Sequence, residues 1–134
     1  MSDTPISAPS AHGGPLKVLV VDDGRSSADV LGLFFELEGH QVTVVYDGSS
    51  ALEKVREVPP DLIVMDLNMP GLSGYETAGM IREMEGGGGI HLYALSGGLA
   101  DVEGVKAREA GFDGFLPKPV VPDDLRALLA GLPV

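Results

Sequence analysis

The sequence predicts an α/β protein with a five-stranded parallel sheet covered by helices on both faces. Three observations carry this. Short apolar runs alternate with helical patterns five times along the chain. The apolar runs are nearly continuous, as strands buried on both faces must be. The 134 residues suit one domain, and 44% apolar content is enough for a core.

The elements follow in order. "LKVLVV" (16–21) reads as a buried strand. "SSADVLGLFFELEG" (26–39) is a helix with Val30, Phe34 and Leu37 at helical spacing and Gly39 as its stop. "QVTVVYD" is a strand of β-branched residues. "SSALEKVRE" opens with Ser50 and Glu53 at capping-box spacing and predicts the second helix. "DLIVMD" (61–66) is again a continuous buried strand. "GYETAGMIREME" is helical, with Ala78, Ile81 and Met84 on one side. "IHLYALS" is the fourth strand, "DVEGVKAREAG" the fourth helix and "GFLPKP" the short fifth strand. "PDDLRALLAG" closes the chain as a helix, with Pro122 and two acids in its first turn. Right-handed crossovers then lead to the flavodoxin-like (βα)5 three-layer sandwich, strand order 2-1-3-4-5. Residues 1–15, rich in Ser, Pro, Gly and Ala, are expected to form a flexible tail, and residues 16–132 the domain.

Composition excludes several classes. With no cysteine there is neither a disulfide framework nor a thiolate metal site. No run approaches the length of a membrane span, and no signal-peptide pattern opens the chain, so a cytoplasmic protein is expected. A net charge of −11 repels phosphate backbones and argues against nucleic-acid binding. His12, His40 and His91 lack a mutual ligand spacing and are read as tail, turn and strand residues.

Ligands of open α/β sheets sit beyond the carboxyl ends of the strands. There the sequence places Asp22 and Asp23, then Asp66, Ser96 and Lys118. Each has a plain alternative: an aspartate capping the next helix, a turn serine, a solvated lysine. Their occurrence together at the same end of adjacent strands favours one site. Three carboxylates this close would repel one another, and a hard divalent ion resolves the repulsion. Oxygen-only ligands suit Mg²⁺, with Mn²⁺ as the alternative.

The set "VVDD", "VMDLNMPG", "ALSG" and "FLPKP", in that order and spacing, resembles the receiver domain of two-component response regulators, the single-domain chemotaxis type in particular. The resemblance covers about residues 16–131. It implies that Asp66 accepts a phosphoryl group from a sensor histidine kinase or histidine phosphotransfer protein. It implies that Asp22, Asp23, Asp66 and the backbone carbonyl of Asn68 hold Mg²⁺. Ser96 would be the switch hydroxyl, Lys118 the partner of a phosphoryl oxygen, and Phe115 the switch aromatic. Lys118–Pro119 would be a cis peptide. The downstream target would dock on the face of the fourth helix, fifth strand and fifth helix. The chain would be a monomer or a phosphorylation-dependent dimer, and a phosphoacceptor signalling domain rather than an enzyme. A phosphorelay intermediate is the alternative output. A haloacid-dehalogenase-type phosphohydrolase uses a similar inventory, but places its nucleophile first, in Asp-x-Asp.

Some positions depart from the family pattern. Gly24 follows the acidic pair where a larger residue is usual, which would loosen the first loop. Gly97 and Gly98 follow Ser96 and would alter the lifetime of the phosphorylated state. Phe115 replaces the frequent Tyr. "EGGGGI" (85–90) lies at the amino end of the fourth strand and lacks a P-loop ending, so it reads as a flexible connection.

Overall fold

The computed structural model describes residues 15–97 and 100–132, with the side chains of 100–104 outside that description. The expected tail therefore falls almost wholly outside the described residues, as does Gly98. The order is β1 (Lys17–Val21), α1 (Arg25–Leu37), β2 (Gln41–Val45), α2 (Gly48–Glu57), β3 (Leu62–Asp66) and α3 (Gly74–Glu83). A 3₁₀ turn (Gly87–Gly89) leads to β4 (His91–Ser96), α4 (Ala100–Ala110), β5 (Gly114–Pro117) and α5 (Pro122–Gly131). All strand pairs are parallel, in the order β2-β1-β3-β4-β5. This is the flavodoxin-like sandwich the alternating pattern predicts.

Strand periodicity divides the core in two. Leu19, Val21, Ile63, Met65, Leu92 and Ala94 meet Leu52 and Val55 of α2, Ile81 of α3 and Ala107 of α4. Val18, Val20, Leu62, Val64, Leu95 and Leu116 meet Leu31 and Phe35 of α1 and Leu125, Leu128 and Leu129 of α5. Each large side chain so buried contributes about 1.5–3 kcal/mol. In α4, among residues 105–110, only Ala107 is fully buried, and one methyl contributes about 0.8 kcal/mol.

Three local expectations need correction. The buried stripe of α1 is Ala28, Leu31, Gly32 and Phe35. Val30 and Leu37 are 67% and 77% exposed. The helix carries two apolar stripes, and the one with small residues faces the sheet because it permits closer approach. A Cβ on Gly32 would lie 2.6 Å from Val44 Cγ2. Second, α2 starts before Ser50. Asp47 is its N-cap and accepts the Ser50 N–H at 2.7 Å, satisfying a donor that the helix leaves orphaned. The capping box is in α3 instead, between Ser73 and Glu76. Third, the glycine run is an ordered 3₁₀ turn. Arg82 Nη1 donates to the carbonyls of Gly87 and Ile90 at 2.8 and 2.7 Å, and a Cβ on Gly87 would run into the Ile81 carbonyl. His40 is buried, and its Nδ1 accepts the Leu16 N–H at 3.0 Å; it fastens the entry to β1.

Candidate functional site

The parallel register sets the site. Val21 pairs with Met65, so the residues after β1 and at the end of β3 lie side by side. Asp66 pairs with Leu95, which brings Ser96 to the same edge. Ser96 pairs with Pro117, and the Lys118 N–H donates to the Ser96 carbonyl at 2.8 Å. Asp22, Asp23 and Asp66 each offer an oxygen within 4.8 Å of the others. Lys118 Nζ lies 3.2 Å from Asp66 Oδ2 and 3.6 Å from Asp22 Oδ2. Asp22, Asp23, Asp66, Ser96 and Lys118 are thus brought to one edge of the sheet.

The two buried aspartates are held alike. Asp22 Oδ1 accepts the Gly24 N–H at 3.0 Å, and Asp66 Oδ1 accepts the Asn68 N–H at 3.2 Å. Each thus has one oxygen fixed by an amide two residues on and the other turned toward Lys118. Asp22, Asp66 and Ser96 are 2%, 5% and 3% exposed, whereas Asp23 and Asn68 are exposed. Gly24 is the N-cap of α1 in extended geometry, with its amide on Asp22.

The Asp66 carboxyl is pushed above its ordinary range, chiefly by burial. The Asn68 amide and then Lys118 oppose this, and the Asp22 charge adds to it least. The expected repulsion is therefore present but secondary. A lysine between two of the carboxylates and the exposure of the third blunt it. The donor set is all oxygen, with one accessible carboxylate beside two buried ones. That suits a hard cation such as Mg²⁺ that keeps some of its waters.

Phe115 is half-buried against the cluster containing Ala94, its register partner. Lys118–Pro119 is cis. Between α1 and the segment after β5 a groove of about 730 Å³ opens from the site, lined by Asp22, Ser27, Val30, Phe34, Lys118 and Pro119 among others.

One supporting residue escaped the sequence reading. Gly74 begins α3 directly behind Asp66, and a Cβ there would run into the Asp66 carbonyl and approach Leu67 Cα at 2.7 Å. Its N–H donates to the Leu67 carbonyl at 2.9 Å, closing the loop that carries Asp66. The Ser73–Gly74 pair between a strand and a helix was the available signal.

A parallel doubly wound sheet with an acidic pocket and a lysine at its carboxyl edge defines a class of α/β proteins whose polar residues gather where open sheets bind ligands. Within it, the chain belongs to the response regulator receiver domain family, whose model matches residues 18–130. The DNA-binding response regulator MtrA of Mycolicibacterium smegmatis is 36% identical over 111 residues, 83% of this chain and 47% of that protein. The chain thus spans about half the length of its MtrA relatives. The chemotaxis response regulator CheY4 of Vibrio cholerae has the same fold at a TM-score of 0.81 and 28% identity, over 86% of this chain and 96% of that one. The receiver domain of Ssk1 from Saccharomyces cerevisiae, solved with the histidine phosphotransfer protein Ypd1, matches at 0.81 and 27% identity, over 87% of each chain. Receiver domains are signalling domains and phosphoacceptors.

Proposed function

We propose that Asp66 is the phosphoacceptor of a two-component switch. The observation that carries this is the placement of one Asp66 oxygen against Lys118, within a few ångströms of the acidic pair. An Asp66 carboxylate oxygen attacks the phosphorus of a phosphohistidine on a sensor kinase or phosphotransfer protein. The P–N bond breaks, and its electron pair stays on the imidazole, which takes up a proton. The product is an acyl phosphate, whose lability in water suits a timed signal.

Asp22, Asp23, Asp66 and the Asn68 carbonyl would hold Mg²⁺, or Mn²⁺ in its place, and the ion would supply charge neutralisation to the transferring group. Lys118 stands ready to pair with a phosphoryl oxygen once that oxygen replaces its contact with Asp66. Ser96, buried next to the site, donates its hydroxyl to the phosphoryl group. Phe115 fills the space that Ser96 leaves, a packing switch between two states. The groove beside Asp22 and Lys118 gives the donor protein an apolar approach to the site.

The output is docking of a target protein on the α4–β5–α5 face, or onward relay to another histidine, by a monomer or a phosphorylation-dependent dimer. The −11 charge supports a protein target over nucleic acid. No helix among the described residues is long and apolar enough to cross a membrane, and we assign the protein to the cytoplasm.

Intact-mass analysis after incubation with Mg²⁺ and acetyl phosphate tests the reading. One phosphoryl adduct is expected, absent in Asp66→Asn. No adduct under trapping conditions verified on another receiver would leave only a binding module.

A further inference from the structure

Arg25, Asp29 and Tyr46 form a cluster at the rim of the acidic pocket that the phosphoacceptor chemistry does not use. Parallel register brings Tyr46 there. It follows Val45, the partner of Val21, and the Asp22 N–H donates to the Val45 carbonyl at 3.2 Å. Tyr46 thus leaves β2 beside the point where Asp22 leaves β1. It packs against the cluster containing Val20, Ala28 and Leu31. Its hydroxyl donates to Asp29 Oδ1 at 2.6 Å. The Arg25 guanidinium lies over the same ring, 4.1 Å from the centroid, where the negative face attracts a cation. Asp29 stands one turn along α1 from Arg25, so the two share one side of the helix.

An arginine is electrostatically unfavourable at this position. It begins α1, where the helix dipole is positive, and no acid in the first turn offsets it. It also stands two residues after Asp23, exposed and on a flexible stem. Three carboxylates whose oxygens lie within 4.8 Å of one another would draw such a cation in. The Tyr46 ring and Asp29 hold it toward β2. Asp66 and Lys118 lie on the other side of β1, at the end of β3 and after β5.

We propose that Tyr46 and Asp29 form a seat that keeps Arg25 out of the acidic pocket, and that this seat governs how tightly the pocket takes Mg²⁺. Lys118 already lies against Asp22 and Asp66. A second cation in the pocket would cancel negative charge that a divalent ion needs and would compete for Asp23, the accessible carboxylate. Seated, the guanidinium leaves Asp23 to the ion. Arg25, Asp29 and Tyr46 are then positioning residues that act through the charge left to the three aspartates. The effect on Mg²⁺ rests on the reading of those aspartates as its site; the seating of Arg25 does not.

Titration calorimetry of Mg²⁺ into the full chain tests the effect. Tyr46→Leu removes the ring and the hydroxyl and should weaken binding by about fivefold or more. Arg25→Gln should change wild-type affinity by no more than about twofold, yet recover most of the loss in the Tyr46→Leu background. Equal effects of Arg25→Gln in the two backgrounds, or Tyr46→Leu binding as wild type does, overturn the proposal. A merely structural role of Tyr46 beside Asp22 gives no such recovery. Should Tyr46→Leu fail to fold, Asp29→Ala at its exposed position carries the same comparison: its loss should vanish with Arg25→Gln, and a loss that persists unchanged overturns the seat. In the metal-free chain, the Tyr46 ring should shift the Arg25 Nε–H resonance upfield, and Tyr46→Leu should abolish the shift. No such shift overturns the seat. A wild-type chain that takes up no Mg²⁺ counts against the metal-site reading instead, and the ring shift still judges Arg25.

Discussion

Lys118 Nζ lies 3.2 Å from Asp66 Oδ2, with Asp22 Oδ2 at 3.6 Å on the same ammonium. One cation that is one-third exposed thus serves two nearly buried carboxylates. Removing it leaves both without an ion-pair partner among the described residues. Lys118→Ala should therefore lower stability at pH 7 by about 1–3 kcal/mol, below the penalty for breaking a wholly buried pair because water reaches the lysine. Urea denaturation measures this. The variant's acetyl phosphate adduct, if it forms, should leave the spectra around Ser96 and Phe115 unmoved.

Burial raises the folded-state pKa of Asp66 above the ordinary carboxylate value of about 3.9. Between the unfolded and folded values the native protein binds more protons than the unfolded chain, so stability falls as pH rises through that window. Asp66→Asn removes the ionisation. Without divalent ions, its melting temperature should exceed wild type at pH 7, and the gain should shrink below about pH 4. A wild-type advantage at neutral pH in chelator would contradict the dominance of burial.

Mg²⁺ should stabilise the folded chain by mass action, about 1.4 kcal/mol at ten times its dissociation constant. Asp23 is exposed, so Asp23→Asn should leave the metal-free melting temperature nearly unchanged and abolish the Mg²⁺-dependent rise. Calorimetry with and without chelator reads both quantities.

The inward stripe of α1 makes a sharp contrast. Phe35→Ala should cost about 3–5 kcal/mol. Leu37→Ser, at a side chain 77% exposed, should stay within about 0.5 kcal/mol. Similar costs at the two positions would mean that the helix faces the other way.

Asp47→Ala removes the α2 cap and should cost about 1 kcal/mol. Its phosphoryl adduct should form at the wild-type rate, because Asp47 lies outside the acidic pocket.

The sequence by itself determined the five strand–helix units, their parallel order and the identity of Asp22, Asp23, Asp66, Ser96 and Lys118 as neighbours. Strand periodicity and the rule of right-handed crossovers carry that information locally. Only the tertiary structure decided which stripe of α1 turns inward. Both stripes have helical spacing, and the choice depends on how closely Gly32 approaches Val44 across the chain. Tertiary packing likewise made burial, rather than repulsion between carboxylates, the main influence on Asp66. It also ordered the glycine run through Arg82. The Asp66 pocket joins segments distant along the chain, and Arg82 reaches the glycine run five to eight residues on through side-chain bonds that no hydrophobic period encodes.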